Sequence, residues 1–289
     1  MNAVRVSKPD KVLFPGDGVT KGDLAGQYRG VAEVMLPHLA GRPLTLRRFP
    51  DGIGGEGWFQ KNASEHFPDW VTTVEVPQRD GGTVRHVVCD NADALVYLAG
   101  QAAVELHVWL STVEDLEHPD LVVVDLDPPD GTGVGELRTV ARRVRDLFTE
   151  VGLTPYVQAS GGRGFHVAAP LTRDASFDEV REFARAAATR LAERDPDRLT
   201  TEIRKDKRGD RIFLDVNRNG YAQTFVAPYS VRARAGAPVA TPLDWPELGR
   251  AEPAGYPVDR LRNRMARKAD PWRDLREHAG SAHDAMRRL

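Results

Sequence analysis

The sequence has one cysteine, Cys89, among 289 residues, so an internal disulfide and a cysteine-based zinc site are both excluded. It has no apolar run approaching the roughly 20 residues that a membrane-spanning helix needs. The N-terminal residues lack the apolar core of a signal peptide. We therefore expect a cytoplasmic protein with no membrane contact, in which Cys89 is a small buried hydrophobic side chain.

An excess of charge is lacking as well, since 40 Lys and Arg oppose 42 Asp and Glu, for a formal net charge of -2. This balance argues against a protein that coats nucleic acid by bulk positive charge, although it is compatible with a local basic cleft. Internal repeats and low-complexity segments are also missing. The length fits one large domain or two modest ones.

Local patterns predict a chain that mixes helices and strands. Thr20 and Asp23 have the spacing of a capping box at a helix start, and Ser176 and Glu179 repeat it. Residues 135–152 carry apolar side chains on one helical face. The alternation in VELHVW predicts a half-buried strand. Strands are predicted at 42–49, 83–88, 104–109, 121–127, 155–159, 165–169, 211–216 and 223–231.

Two aspartates end the apolar run LVVVDLD at residues 121–127. Because alternate residues of a strand share a face, Asp125 and Asp127 project to the same side, where they repel unless a cation lies between them. Hard divalent cations prefer such oxygen ligands. Asp215 follows a second apolar run, RIFL, and adds a third carboxylate. This pattern favours a site for two metal ions about 3.5–4 Å apart, as in phosphoryl transfer.

Other interpretations of the same residues stay open. Asp125 and Asp127 are also compatible with a polar strand end at a turn, and Asp215 alone with a salt bridge to an arginine. An apolar strand ending in Asp-x-Asp is the nucleophile motif of haloacid-dehalogenase-type phosphatases, in which Asp125 would attack phosphate. That hypothesis needs the motif near the start of the fold and Thr or Val two residues past the second aspartate, whereas Pro128 and Pro129 follow Asp127.

The turn SGGRGFH at residues 160–166 offers donors suited to phosphate oxygens. Backbone N–H groups of a tight glycine turn form an anion-binding concavity, and Ser160, Arg163 and His166 add side-chain donors. The alternative is a glycine-rich hairpin with an incidental arginine. Beside a metal site, the phosphate interpretation is favoured.

Basic and aromatic residues elsewhere suit a polyanionic partner. The basic run 204–218 leads into the strand of Asp215 and predicts a mobile loop over a polyanion, although such runs are ordinarily solvated loops. Trp58 and Phe59 follow a glycine-rich loop, where two adjacent rings are poorly placed for both to be core. At least one is therefore a candidate platform for base stacking. His107 alone fits a half-buried structural histidine.

Six segments, taken together and in order, resemble the polymerase domain of bacterial DNA ligase D, which belongs to the archaeo-eukaryotic primase superfamily. They lie between Ser7 and Trp245 and read KPDKVLFP, GWFQKN, VELHVW, DLVVVDLDPPDG, SGGRGFHVAAPL and APYSVRARAGAPVATPLDW. The resemblance implies an α/β fold of α+β type, with a mixed or antiparallel catalytic sheet that carries the acidic triad. It implies one primase-polymerase domain over 1–289, with a smaller N-terminal α/β module at about 1–110, a catalytic module at 111–245 and peripheral helices at 246–289.

The activity that the resemblance implies is template-directed nucleotidyl transfer that extends or fills DNA ends and short gaps, with a preference for ribonucleotides. The implied cofactor is Mn²⁺ or Mg²⁺, as two ions, and the implied substrates are NTPs or dNTPs and gapped or recessed DNA with a 5′-phosphate. The implied setting is non-homologous end joining or related repair, with a DNA ligase and the Ku end-binding protein as partners.

We expect a monomer in the bacterial cytoplasm, associated with the nucleoid, and either a stand-alone polymerase or a domain of a longer ligase. The alternatives are the phosphatase above and a non-catalytic DNA-end-binding module that recruits a ligase.

By position, the resemblance assigns catalysis and metal binding to Asp125, Asp127 and Asp215. Nucleotide contacts are implied for Arg47, His107, Ser160, Gly161, Arg163, Gly164, His166 and Arg232. The 5′-phosphate of a recessed end is assigned to Lys8, Lys11 and Lys21, and template stacking to Trp58 and Phe59. Two residues depart from the family pattern. Lys8 stands where Asn is common, and Arg163 replaces a lysine, which changes geometry more than charge.

Overall fold

The computed structural model describes residues 4–289, and its elements follow in chain order. The strands are β1 (Val12–Phe14), β2 (Val19–Thr20), β3 (Pro43–Arg48), β4 (Trp58–Gln60), β5 (Thr73–Pro77), β6 (Thr83–Val88), β7 (Ala103–Trp109), β8 (Leu121–Asp127), β9 (Tyr156–Ala159), β10 (Phe165–Pro170), β11 (Leu199–Thr200), β12 (Ile212–Asp215), β13 (Thr224–Val226) and β14 (Thr241–Leu243). The helices are α1 (Lys21–Leu39), α2 (Ala92–Gly100), α3 (Val134–Glu150), α4 (Phe177–Arg194), α5 (Val258–Met265) and α6 (Ala282–Arg288). Short 3-10 helices lie at Lys205–Lys207, Asn217–Asn219, Trp245–Gly249 and Leu275–His278.

The chain packs into two compact units, which are described separately. Unit 1 contains the chain up to Glu114, Thr224–Ala240 and Tyr256–Lys268. Unit 2 contains Asp115–Gln223, Thr241–Gly255 and Ala269–Leu289. Each unit is therefore built from three separate stretches of chain. The continuous modules expected from the sequence stay a prediction.

Unit 1 is built on an antiparallel sheet with the strand order β13-β7-β3-β6-β5, and β4 also pairs with β3. The register of β3 and β7 sets Thr45 opposite His107 and Arg47 opposite Glu105. Since directly opposite residues share a face, these four side chains lie on one face of the sheet. Helices α1 and α2 pack against each other. The predicted apolar face of α1 is buried, through Leu24, Tyr28, Val31 and Met35.

Unit 2 is built on a mixed sheet with the strand order β11-β12-β8-β10-β9-β14. Only β11 and β12 pair in parallel, and the other neighbours are antiparallel. Helix α3 packs against β8 and β10, and α4 packs against β8 and β11. The apolar face predicted for residues 135–152 is buried, and so are Val122, Val124 and Leu126 of β8.

A side-chain amide extends the β8 ladder beyond its pairing with β12. Strand β12 ends at Asp215, and the chain then turns through Asn217–Asn219. The Val123 N–H donates to Asn219 Oδ1 at 2.8 Å, and Asn219 Nδ2 donates to the Val123 carbonyl at 2.7 Å. The buried Asn219 thus satisfies backbone groups that would otherwise lack partners.

Both predicted capping boxes are confirmed. The Asp23 N–H donates to Thr20 Oγ1 at 3.1 Å, and the Thr20 N–H donates to the Asp23 carboxylate at 2.9 Å. The Ser176 N–H donates to the Glu179 carboxylate at 2.8 Å, and the Ser176 hydroxyl accepts the Glu179 N–H. These contacts begin α1 and α4 at the predicted residues.

Three further expectations concern Cys89, the strand at 223–231 and membrane-spanning helices. Cys89 is fully buried, as predicted, and burial raises the pKa of its thiol to about 12. The strand predicted at 223–231 is wrong in length, because pairing stops at Val226 and Tyr229 has a left-handed φ of 68°. Within residues 4–289, no helix has both the length and the apolar character needed to cross a membrane.

The α4 cap gives a stability prediction. Replacing Ser176 with Ala removes the hydroxyl that accepts the Glu179 N–H, so we expect a loss of about 1 kcal/mol in the free energy of unfolding. Urea unfolding followed by circular dichroism measures this loss. The exposed loop residue Thr154 provides a control, since Thr154→Ala should change stability by less than about 0.5 kcal/mol. Equal unfolding midpoints for the two variants would contradict the assignment.

Candidate active site

Antiparallel pairing gathers the three predicted carboxylates on one face of the unit 2 sheet. Asp125 of β8 lies opposite Asp215 of β12 and opposite His166 of β10. Asp127 lies two residues further along β8 and shares the face of Asp125. Leu126, between them, is fully buried. Strand register therefore brings together the aspartates that the sequence singled out.

Cationic side chains contact both oxygens of Asp127. Arg163 Nη2 donates to Oδ1 at 2.9 Å, and Arg208 Nη1 donates to Oδ2 at 3.0 Å. Arg208 also lies over the Phe213 ring, 3.8 Å from its guanidinium carbon to the ring centroid. The basic loop that the sequence predicts to be mobile is thus anchored to Asp127 through Arg208.

The other two carboxylates also have partners. Asp215 Oδ1 accepts two hydrogen bonds from Asn217, each of 2.8 Å, and Asp125 Oδ1 lies 3.4 Å from His166 Nε2. In the part of the chain that the structure describes, no three His, Cys, Asp or Glu side chains are arranged as a metal-binding group. The donor set nevertheless fits a hard divalent cation. Asp125 and Asp215 lie opposite each other and Asp127 shares their face, so this face of the sheet offers the carboxylate oxygens that such a cation prefers.

Two backbone N–H groups of the glycine turn already have hydrogen-bond partners. Ser160 Oγ accepts the Gly162 N–H at 3.1 Å, and the Gly161 N–H donates to another backbone carbonyl at 2.8 Å. The expected anion-binding N–H groups are therefore engaged at these two glycines. Gly164 has a packing role, because an added Cβ would lie 1.7 Å from the Leu126 carbonyl oxygen.

His166 is buried between two polar side chains of the sheet. Its Nε2 faces Asp125, and its Nδ1 lies 3.3 Å from Nε2 of the fully buried Gln158 on β9. Strand register explains this row, since His166 lies opposite Asp125 on one side and opposite Gln158 on the other. Direct contact between His166 and a nucleotide stays a prediction.

Both rings that the sequence singled out in unit 1 are exposed. Trp58 and Phe59 leave 46% and 57% of their surface accessible. Strand β4 pairs with β3 so that Arg48 lies opposite Trp58 and Arg47 opposite Phe59. Their guanidinium carbons lie 5.5 and 5.4 Å from the respective ring centroids. Exposed rings held in this way are suited to stack on nucleic-acid bases.

Glu105 connects three predicted nucleotide-binding residues of unit 1. Arg47 Nη1, His107 Nε2 and Arg232 Nε lie 3.1, 2.9 and 3.3 Å from its carboxylate oxygens. Burial raises the pKa of Glu105, but the hydrogen bond from His107 and the charge of Arg232 outweigh it and hold the pKa at about 2. The ionised carboxylate is only 1% exposed, so the half-buried alternation predicted for β7 is wrong at this residue.

Three lysines lie near one another at the N-terminus of α1. Lys21 is the first residue of the helix, and its Nζ donates to the Ser7 carbonyl at 2.8 Å. Burial lowers the pKa of Lys21, and the charges of Lys11, Lys8 and Arg48 lower it further. Cations that repel one another at a helix N-terminus favour the binding of an anion.

Several residues of these arrangements were not predicted, and Glu105, Gln158 and Asn219 are three of them. The sequence pattern could have indicated the role of Glu105, because a charged residue in an otherwise apolar strand needs a buried partner. Gln158 had the same signal in YVQA. No sequence pattern pointed to Asn219, since its role depends on where β12 stops pairing with β8.

Comparison with known proteins confirms the resemblance and the fold class. The family model described as LigD, primase-polymerase domain, matches residues 20–272. The multifunctional non-homologous end joining protein LigD of Mycobacterium bovis is 36% identical over 275 residues, which are 92% of this chain and 36% of that protein. The protein of the same name from Pseudomonas aeruginosa is 34% identical over 288 residues, 99% of this chain and 34% of that protein. The chain thus spans about a third of the length of these relatives.

A solved structure agrees with these relatives. The polymerase domain from Mycobacterium tuberculosis Ligase D, in complex with DNA, superposes with a TM-score of 0.88 at 35% identity. The match covers 96% of this chain and 99% of that one.

The close approach of Gly164 to β8 predicts that this position does not tolerate a larger residue. Gly164→Ala forces a Cβ onto a backbone oxygen, so we expect a loss of about 1–3 kcal/mol in the free energy of unfolding. Gly135 in α3 is the matched control, because no atom lies within 4 Å of an added Cβ there. Gly135→Ala should be neutral or stabilise by up to about 1 kcal/mol, as alanine favours helix. Urea unfolding of both variants checks this difference in sign.

Proposed function

The chain belongs to the LigD primase-polymerase domain family, and from this premise we propose that it is a template-directed nucleotidyltransferase that extends DNA ends and fills short gaps. The observation that carries the proposal is the strand register that sets Asp125 opposite Asp215, with Asp127 beside them. The reaction joins a primer 3′-hydroxyl to the α-phosphorus of a nucleoside triphosphate and releases pyrophosphate. The biological setting is non-homologous end joining or related repair, with a DNA ligase and Ku as partners.

Asp125, Asp127 and Asp215 would hold two divalent cations, Mn²⁺ or Mg²⁺, which when bound supply Lewis acidity and charge neutralisation for phosphoryl transfer. His166 and Gln158 orient Asp125, while Asn217 orients Asp215. Arg163 and Arg208 hold the oxygens of Asp127 and compete with any cation for them.

Phosphate oxygens of the nucleotide are the proposed ligands of Arg47, His107 and Arg232 in unit 1. The SGGRG turn of unit 2 is proposed, separately, to bind phosphate. Arginine guanidinium groups suit phosphate oxygens because they donate two parallel hydrogen bonds. Arg163, which bridges Asp127 and Asp130, is the one turn residue with a charged side chain. Ribonucleotide preference is part of the proposal.

DNA is the proposed partner of two further groups in unit 1. The exposed rings of Trp58 and Phe59 stack on template bases. The three lysines at the start of α1 bind the 5′-phosphate of a recessed end, where a dianion relieves the repulsion that lowers the pKa of Lys21. Lys11 keeps an exposed ion pair with Asp51 at 3.0 Å, which contributes little in water.

The catalytic assignment predicts a large and selective loss of extension. Asp127→Asn removes a carboxylate from the proposed metal-binding face, so we expect extension to fall at least about 100-fold. The assay follows a labelled primer in a gapped, 5′-phosphorylated duplex with Mn²⁺ and either rNTPs or dNTPs. Asp130→Asn is the matched control, because Asp130 also pairs with Arg163, at 2.8 Å, but lies in the loop beyond β8.

The same assay separates the alternatives. We expect the parent protein to extend the primer, and more strongly with rNTPs. Release of inorganic phosphate without extension would support the phosphatase. DNA binding that is indifferent to Mn²⁺, with no incorporation, would support the non-catalytic end-binding module.

The lysine assignment predicts a loss of preference for phosphorylated ends. Lys21→Gln removes a partly buried cation, so we expect extension on a 5′-phosphorylated gap to fall about 10-fold towards the rate on a 5′-hydroxyl gap. The exposed Lys61 gives the control variant Lys61→Gln. An unchanged ratio of the two rates in Lys21→Gln would contradict the assignment.

A further inference from the structure

Glu105 is a charged residue in a part of the fold that has no packing need for it. It lies in β7 between Val104 and Leu106, both of which are fully buried. Burying a carboxylate is costly, and a well-packed hydrophobic residue in its place is often neutral or stabilising. Stability alone therefore does not explain an ionised glutamate here.

Each carboxylate oxygen of Glu105 has two partners. Oε1 accepts from Arg47 Nη1 at 3.1 Å and from the backbone N–H of Ala233 at 2.9 Å. Oε2 lies 2.9 Å from His107 Nε2 and 3.3 Å from Arg232 Nε. We call the four side chains Glu105, Arg47, His107 and Arg232 the Glu105 cluster. They come from β7, β3 and the segment after β13, so one carboxylate links three stretches of unit 1.

The side chains of the Glu105 cluster differ in solvent exposure. The Glu105 side chain is 1% exposed, whereas those of Arg47, Arg232 and His107 are 34%, 16% and 12% exposed. The carboxylate therefore lies below the cations. Two guanidinium groups against one carboxylate leave the cluster with a net positive charge even when His107 is neutral.

The cluster also fixes the position of an aromatic ring. The Arg47 guanidinium carbon lies 5.0 Å from the Phe49 ring centroid and 5.4 Å from that of Phe59. The rings of Phe59 and His107 meet edge to face, with centroids 5.5 Å apart. A change in the direction of Arg47 or His107 would therefore disturb the exposed Phe59.

We propose that Glu105 is a positioning residue, which holds Arg47, His107 and Arg232 in one arrangement, with a surplus of positive charge, that receives the polyphosphate of the incoming nucleotide. Glu105 itself does not touch the substrate. This inference rests on the proposed function, since it deepens the role of residues that bind the nucleotide there. Without the carboxylate, the guanidinium groups of Arg47 and Arg232 lose the anion that holds them together, and His107 loses its hydrogen-bond partner.

The charge-neutral variant Glu105→Gln separates positioning from simple charge compensation. If Glu105 positions the cations, the KM for the nucleotide should rise about 10- to 100-fold, with a smaller change in kcat. If Glu105 only lowers the local positive potential, its removal should tighten triphosphate binding. Glu75→Gln is the matched control, because Glu75 is an exposed glutamate on β5 of the same sheet.

Two measurements report on positioning. Extension of a gapped duplex gives KM and kcat, and calorimetry with ATP and AMP in Mg²⁺ gives the preference for three phosphates over one. We expect Glu105→Gln to lose most of that preference. The double variant with Glu105→Gln and His107→Gln should lose little more of this preference than His107→Gln alone, because both substitutions disturb the same arrangement. Glu105→Asp keeps the charge on a shorter side chain, so we expect a KM between those of the parent protein and Glu105→Gln. This variant also tests the proposal if Glu105→Gln fails to fold.

The outcomes are distinguishable. A parent protein that does not extend primers overturns the proposed function. An active parent with a folded Glu105→Gln variant of equal or tighter ATP binding overturns the positioning role while leaving the proposed function intact. Where only Glu105→Asp folds, a parental KM in that variant overturns it equally.

Discussion

The structure depends on the compensation of like charges that strand pairing forces together. In unit 2, β8 and β12 hold Asp125 opposite Asp215, and Asp127 shares their face. Like charges so placed repel one another, and Arg163 and Arg208 bring positive charge to Asp127. The register that creates this arrangement is itself well fixed. A slip of β12 by one residue would turn Asp215 to the other face, and the Asn219 amide locks the chain where β12 ends.

Unit 1 presents the same constraint with the signs reversed. Here one buried carboxylate, Glu105, is surrounded by Arg47, His107 and Arg232. The hydrogen bond from His107 and the charge of Arg232 hold the pKa of Glu105 at about 2 in spite of burial, so the carboxylate stays charged throughout the range in which an enzyme works. Removing one partner of a buried charge is strongly destabilising. Arg47, His107 and Arg232 therefore share one partner, and a change in Glu105 affects the positions of all three.

The sequence predicts local features well and long-range ones poorly. The capping boxes of α1 and α4, the apolar face of α3 and the exposed pair Trp58 and Phe59 depend on residues close in the chain, and all are confirmed. The burial of Glu105 was missed because its partners include Arg232, from a segment more than 100 residues away that packs in the same unit. The engagement of the Gly161 N–H was missed for the same reason, since its acceptor is the Pro253 carbonyl, whereas the Gly162 N–H is accepted locally by Ser160 Oγ. A glycine turn shows which backbone groups are accessible to a partner, but not which partner reaches them first.

Lys8 combines a left-handed backbone conformation with a position near two other lysines. Its φ of 49° is left-handed, which is costly for lysine but well tolerated by asparagine. The turn is maintained by hydrogen bonds from the Lys11 N–H to the Lys8 carbonyl, at 3.1 Å, and from the Lys21 N–H to the Lys11 carbonyl, at 2.8 Å. The contacts that impose the strained backbone thus also bring Lys8 near two other lysines. A bound anion would relieve the repulsion among the three side chains, but not the backbone cost. Lysine at this position therefore ties the local stability of unit 1 to anion binding more closely than asparagine would.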